Sequence, residues 1–223
     1  MSTQQASSVT TILAIRHGET AWNSDGRYQG QTDVALNATG REQAAWVAQA
    51  LAREAIDAVY SSDLARAMQT AQALAAQVGV PLRIEADLRE QHFGVFQGLL
   101  AREIEERWPE DHSRWLRREP GFGPPGGETR RDFSKRCVGA VERLAREHPG
   151  QTLAIVCHGG VLDALYRAAR GLPLDTPRTW SLENAAISRL RFDAGGLHID
   201  AWGATSHLPR DEAGHAADLF PAP

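Results

Sequence analysis

The chain has 223 residues, 24 basic and 28 acidic side chains, and a formal net charge of −4. That length suits one domain with a full core and a small insertion, and the acidic balance argues against a nucleic-acid partner. No run of about 18 apolar residues is present, so no membrane-spanning helix is expected.

Met1 to Thr10 is polar and lacks the basic and apolar regions of a signal peptide, so it is expected to be a loose tail. Thr11-Ile12-Leu13-Ala14-Ile15 reads as a buried strand that ends in Arg16-His17-Gly18-Glu19-Thr20. A polar loop from Gly18 to Asn37 follows. Thr39 and Glu42 form a candidate capping box, and Ala44, Val47, Ala48 and Leu51 supply the apolar face of the helix behind it. Ile56 to Tyr60 reads as the next strand. Ser61-Ser62-Asp63 ends it, with Asp63 the expected cap of a helix whose buried side carries Ala67, Thr70, Ala71 and Leu74.

A short strand from Val80 to Ile84 leads to Leu88-Arg89-Glu90. Residues 98–127 carry Trp108, Trp115, Arg117 and Arg118 and end in a run rich in glycine and proline. They read as short helices inserted as a lid. Thr129 and Asp132 form a second candidate capping box, for a helix presenting Phe133, Cys137, Ala140, Val141, Leu144 and Ala145. Leu153 to Cys157 is a second apolar strand and ends in His158-Gly159-Gly160; a helix follows from Val161 to about Ala169. Ala185 to Phe192 reads as a late strand that turns at Asp193–Gly196 into Leu197–Asp200. Residues 204–223 are expected to be a C-terminal tail.

Strands alternating with helices predict a three-layer α/β/α sandwich. Its sheet is mostly parallel, helices cover both faces, and a small helical lid is inserted. The expected catalytic domain is residues 11–203. Cys137 and Cys157 are expected as buried thiols in a reducing cytoplasm, and no cluster of Cys and His suggests a metal.

The two histidines stand at the ends of separate strands, where open α/β sheets carry their chemistry. A site with His17, His158, Arg16 and Arg66 suits a tetrahedral phosphoryl group. Hydrolysis of a phosphate ester needs a nucleophile, positive groups for the equatorial oxygens and a proton for the leaving oxygen. His17 supplies a ring nitrogen, Arg66 lies in the first turn of its helix, where an anion is favoured, and Asn23 is a neutral donor. Glu90 is the candidate acid, because a nearby phosphate makes it hold its proton to higher pH. Each residue alone has an ordinary reading as a cap or a solvated surface group. Their joint occurrence at four segment ends carries the expectation.

Arg16-His17-Gly18-Glu19-Thr20-x-Trp22-Asn23 resembles the opening signature of the histidine phosphatase superfamily, in its phosphoglycerate-mutase-like branch. The loop Tyr28-Gln29-Gly30-Gln31-Thr32-Asp33, the block Ser61-Ser62-Asp63-Leu64-x-Arg66-Ala67-x-Gln69-Thr70-Ala71, Leu88-Arg89-Glu90 with Phe93-Gly94, Pro125-Gly126-Gly127-Glu128-Thr129 and Val156-x-His158-Gly159-Gly160 continue the resemblance in order. It implies a phosphohistidine at His17. Arg16, Arg66 and His158 would grip the transferring group, Asn23 would donate to it, and Glu90 would be the general acid. It further assigns Gln29, Gly30 and Gly159 to phosphate or substrate binding, with His92, Arg117 and Arg118 as further candidates. No metal is implied, and the expected ligand is a small-molecule phosphate ester. A homodimer is a family-level expectation.

The superfamily holds phosphatases and mutases. Glu90-Gln91-His92-Phe93-Gly94 and the pair Arg117-Arg118 resemble the mutase pattern, which would require 2,3-bisphosphoglycerate as cofactor. Ala101 in place of a lysine, the compact span from Glu90 to His158 and the Pro124–Thr129 corner favour a phosphatase, with no cofactor. A non-catalytic phospholigand-binding role would call for loss of one of the key groups, and none is lost. Trp108, Trp115, Phe122 and Phe96 are expected either to line a lid pocket or to pack the insertion onto the core.

Overall fold

The computed structural model describes residues 9–209. Six strands form one sheet in the order β3-β2-β4-β1-β5-β6. They are β1 (Thr10–Arg16), β2 (Ala58–Ser61), β3 (Leu82–Ile84), β4 (Thr152–Cys157), β5 (Ile187–Asp193) and β6 (Gly196–Ala204). The first four run parallel, and β5 and β6 add an antiparallel edge. The two central strands, β1 and β4, are apolar almost without interruption because helices cover both of their faces.

Side chains alternate across the sheet, so each central strand feeds two cores. Ile12, Ala14, Leu153 and Ile155 pack under α6 (Arg130–Glu147) and α7 (Gly159–Arg170), against Phe133, Leu144 and Leu165. Leu13, Ile15, Ala154 and Val156 face α2 (Ala38–Ala50) and α3 (Ala65–Val78), against Val47, Ala67 and Leu74. Two short helices, α4 (Ala101–Arg107) and α5 (Pro109–Leu116), form the insertion, and a four-residue α1 (Ala21–Ser24) follows the first strand. The insertion has its own aromatic core of Tyr28, Phe93, Phe96, Ile104, Trp115 and Phe122. Its aromatic residues therefore mainly pack the lid onto the body.

Register is what builds the site. Ile15 lies beside Val156 and Arg16 beside Cys157, so His17 and His158 leave adjacent strands at the same level. The chain from β1 runs past β4 to β2, whereas the chain from β4 runs past β1 to β5. Connections leave the β1–β4 pair in opposite directions, which opens a crevice at the carboxyl ends of both strands.

Several local expectations are corrected. Helix α2 starts earlier than the Thr39 box: Asn37 is its cap, and its Oδ1 accepts the Gly40 N–H at 2.8 Å. Asp63 does not cap α3, because both its oxygens are held by Arg89, at 2.7 and 2.5 Å; Asp33 reaches across to accept the Ala65 N–H at 2.7 Å. The Thr129 cap is present, accepting the Asp132 N–H at 3.1 Å. Thr10 belongs to β1 and not to a tail, since its hydroxyl donates to Ala145 O and to His148 O, each at 2.9 Å. Ala204 closes β6, and beyond it His207 bonds Ala185 O at 3.1 Å while Leu208 packs on the second core. The remainder of both expected tails, residues 1–8 and 210–223, lies outside the described residues.

Candidate active site

A cleft of about 410 Å³ sits over the β1–β4 crevice, lined among others by Arg16, His17, Asn23, Gln29, Gly30, Arg66, Glu90 and Gly159. His17 is the first residue past β1. Its Nδ1 lies 2.7 Å from Gly18 O. A carbonyl only accepts, so Nδ1 carries the proton and Nε2 keeps its lone pair. The His17 carbonyl is itself held by Asn184 Nδ2 at 3.0 Å and the Ala185 N–H at 3.2 Å. Burial, with Arg66 and Arg16 close by, keeps the ring well below the ordinary histidine range, so it is neutral at pH 7.

Arg66 is 1% exposed. Its Nη1 and Nη2 donate to Thr32 O at 3.0 Å and Gly30 O at 2.7 Å. Its buried Nε has no hydrogen-bond partner. No carboxylate is ion-paired with it among the described residues. Gly30 takes a left-handed φ of 55°, which turns its carbonyl to Arg66, and a side chain there would run into Gln97. Burial lowers the Arg66 pKa to about 10, so the group stays charged. Arg16 is likewise buried, and its Nη1 donates to Leu182 O.

Asn23 Oδ1 accepts the Thr20 N–H at 3.1 Å and the Asn184 Nδ2 donor at 3.4 Å. That network fixes the amide with its NH2 as the uncommitted donor on the cleft wall. Glu90 faces it. Its Oε1 and Oε2 accept the N–H groups of Gln91 at 2.8 Å and Gly160 at 2.9 Å. Burial raises its pKa despite those two bonds, so it holds a proton longer than a surface glutamate. A side chain at Gly160 would collide with this carboxyl.

His158 is fully buried, and its ring centroid lies 5.1 Å from that of His17. It stands beside His17 and is not among the residues that line the cleft. Neither of its ring nitrogens has a hydrogen-bond partner, and burial together with Arg66, His17 and Arg16 holds its pKa well below the usual value. Gly159, next to it, does line the cleft.

The further candidates separate. Arg118 lines an adjoining cleft with Glu90 and Gly159. Arg117 points outward: its side chain is 58% exposed and ion-pairs with Glu119 at 2.8 Å. His92 lines neither cleft; its Nδ1 accepts the Gly94 N–H at 3.1 Å and so shapes the turn after Glu90. The expected substrate contacts of Arg117 and His92 therefore find no support in this geometry.

Sequence reasoning missed the brace behind Glu90. Arg136 grips Glu128 through two bonds, at 2.9 and 2.8 Å, and donates to Asp87 O, Arg89 O and Glu90 O. Glu128 also accepts the His92 N–H at 2.9 Å. Glu128 stood within a quoted motif, but only the fold brings Arg136 onto the Glu90 loop. Asn184 and Thr70, which accepts the Gly18 N–H at 3.0 Å, were missed for the same reason.

The chain is similar to several known proteins. Phosphoglycerate mutase-like protein 4 of Arabidopsis thaliana is 39% identical over 201 residues, covering 88% of this chain and 86% of that protein. A metal-independent phosphoserine phosphatase of the same plant is 38% identical over 205 residues, covering 91% and 84%. The solved structure of Bacillus stearothermophilus YhfR superposes with a TM-score of 0.84 at 31% identity, covering 90% of this chain and all of that one. Residues 12–205 match the histidine phosphatase superfamily (branch 1), and the chain belongs to that family.

Proposed function

We propose that this phosphatase hydrolyses small phosphomonoesters through a phosphohistidine on His17. In the first step His17 Nε2 forms a bond to phosphorus while the ester P–O bond breaks. Glu90 gives its proton to the leaving oxygen. In the second, Glu90 takes a proton from water, the hydroxide attacks phosphorus, and the P–N bond breaks to release inorganic phosphate. Arg16, Arg66 and the Asn23 amide hold the equatorial oxygens, joined by His158, whose unpartnered ring nitrogens lie beside the nucleophile. Gln29, Gly30 and Gly159 shape the phosphoryl subsite. Neither a metal nor an organic cofactor enters this scheme, because side chains carry every proton and bond change.

The observation that carries the reading is the state of His17: Nδ1–H tied to Gly18 O, Nε2 free, and the buried cation beside it tied only to carbonyls. A cytoplasmic setting fits the two buried free thiols, Cys137 and Cys157.

A second reading, a 2,3-bisphosphoglycerate-dependent mutase, is favoured by one observation, the position of Arg118 on the adjoining cleft. One assay separates the two. Phosphate release from a panel of phosphomonoesters is compared with isomerisation of 3-phosphoglycerate, with and without 2,3-bisphosphoglycerate. Release that does not need the bisphosphate supports the phosphatase, and Glu90→Gln should then slow it by about 10²–10⁴-fold. Isomerisation that needs the bisphosphate overturns it.

A further inference from the structure

The peptides on either side of Gly18 are each held by a side chain from a different helix. In the peptide that joins His17 to Gly18, the carbonyl accepts from Asn184 Nδ2 at 3.0 Å and from the Ala185 N–H at 3.2 Å. The N–H of the same peptide donates to Thr70 Oγ1, on α3, at 3.0 Å. In the next peptide the Glu19 N–H donates to Gln43 Oε1, on α2, at 2.8 Å. Only the amide oxygen of Gln43 can accept that proton, so its side chain has one orientation. Thr70 and Gln43 are both buried, and neither lines the cleft.

A trans peptide sets its C=O opposite its N–H. With the Glu19 N–H turned to Gln43, the Gly18 carbonyl faces the other way and lies 2.7 Å from His17 Nδ1. A Cβ at Gly18 would run into Gly40 O, so the absent side chain lets this stretch press against α2, which carries Gln43. Thr70 gives its own hydroxyl proton to Arg66 O, at 2.9 Å, which leaves its lone pairs for the Gly18 N–H. Unrestrained, a neutral histidine carries its proton more often on Nε2, and a protonated nitrogen cannot attack phosphorus. The hydrogen bond at the other nitrogen decides between the two forms.

We infer that Gln43 and Thr70 are positioning residues for the nucleophile. By orienting the peptides that meet at Gly18 they aim its carbonyl at His17 Nδ1 and so keep the lone pair on Nε2. They act through the backbone and touch no substrate, so they govern the chemical step and not the grip on the phosphoryl group. This inference rests on the phosphohistidine reading and names what holds its nucleophile in the attacking form.

The test reads the tautomer without turnover. In ¹⁵N NMR of the histidine-labelled protein, the His17 signals are those that vanish in His17→Ala. The parent should show a protonated Nδ1 and a bare Nε2. Gln43→Leu and Thr70→Val should each draw the two ring shifts together as the tautomers mix. Each should also lower kcat by about tenfold or more and leave KM within about twofold. Thr70→Ser, which restores the hydroxyl but not the methyl group, should recover the parent spectrum and most of kcat. A parent that carries its proton on Nε2 overturns the inference with no variant needed. So do Gln43→Leu and Thr70→Val proteins that keep the parent tautomer with kcat within about twofold, or a Thr70→Ser protein that behaves like Thr70→Val. The expected tautomer in a parent that takes no phosphoryl group onto His17 would sink the phosphohistidine reading and leave the positioning role in place.

Discussion

The two adjoining clefts hold their arginines in opposite ways. In the first, Arg66 is tied to the carbonyls of Gly30 and Thr32. In the second, Arg118 is tied to the carboxylate of Asp163. A carbonyl orients a guanidinium without cancelling its charge, whereas a carboxylate does both. The first cleft therefore keeps its positive charge available for a dianionic phosphoryl group. The second is largely neutralised at Arg118, which Asp163 holds. The anchor of a buried arginine, more than its burial, tells what it is for.

Removing the carbonyl-held charge should break this contrast most sharply. Arg66→Met is expected to lower kcat by about 10²–10³-fold, read in steady-state phosphate release. A variant within fivefold of the parent would mean that the charge beside His17 is not used.

Burial of the two histidines, together with the unneutralised charge beside them, should appear in stability. His17 and His158 both titrate below 6.5 in the folded protein but near that value when unfolded. As pH falls below about 6.5 the unfolded chain binds two protons that the folded one refuses, so stability falls. Each histidine contributes a slope of up to about 1.4 kcal/mol per pH unit. Glu90 acts the other way, because its raised pKa lets the folded state bind one proton first as acid is added. His207, held below its ordinary value by burial, adds to the loss, so the net loss should be at least one histidine's worth, measured as the urea midpoint from pH 7 down to about 5. Inorganic phosphate should flatten the slope, because an anion in the cleft favours the protonated rings. A midpoint that does not move over this range would contradict the neutral state of both rings.

Much of this site could be read from the chain, for a physical reason. Arg16, His17, His158 and Gly159 lie at or next to the ends of strands whose unbroken apolar runs are visible in the sequence, and a parallel register fixes where such ends meet. Arg66 was legible because a helix start follows the end of β2. The pair Glu128 and Arg136 was not, since it is set by packing of α6 against the Glu90 loop and leaves no periodic trace. Neither was the split between Arg117 and Arg118. Two consecutive arginines look equivalent in a sequence, yet one left-handed residue sends them to opposite sides. The caps failed where competitors won: Asp63 prefers Arg89 to its own helix, and Asp33 takes over the Ala65 N–H.

Two smaller effects sharpen the comparison. Glu128→Gln loosens the brace on Glu90 without touching the cleft. It should cost on the order of tenfold in kcat and shift the alkaline limb of the pH profile, leaving KM nearly unchanged. An unaltered pH profile would show that the brace serves folding alone. Arg117→Ala removes an exposed ion pair with Glu119 and should change kcat/KM by less than about twofold. A tenfold loss there would mean that the outward arginine turns in when substrate binds.

The central claim is that the free Nε2 of His17 takes the phosphoryl group. Rapid quench with a ³²P-labelled phosphomonoester, followed by peptide mapping, tests it most directly. Alkali-stable, acid-labile label on the peptide containing His17, absent from His17→Ala, is the predicted result. Label on another residue, or full turnover by His17→Ala, would contradict it.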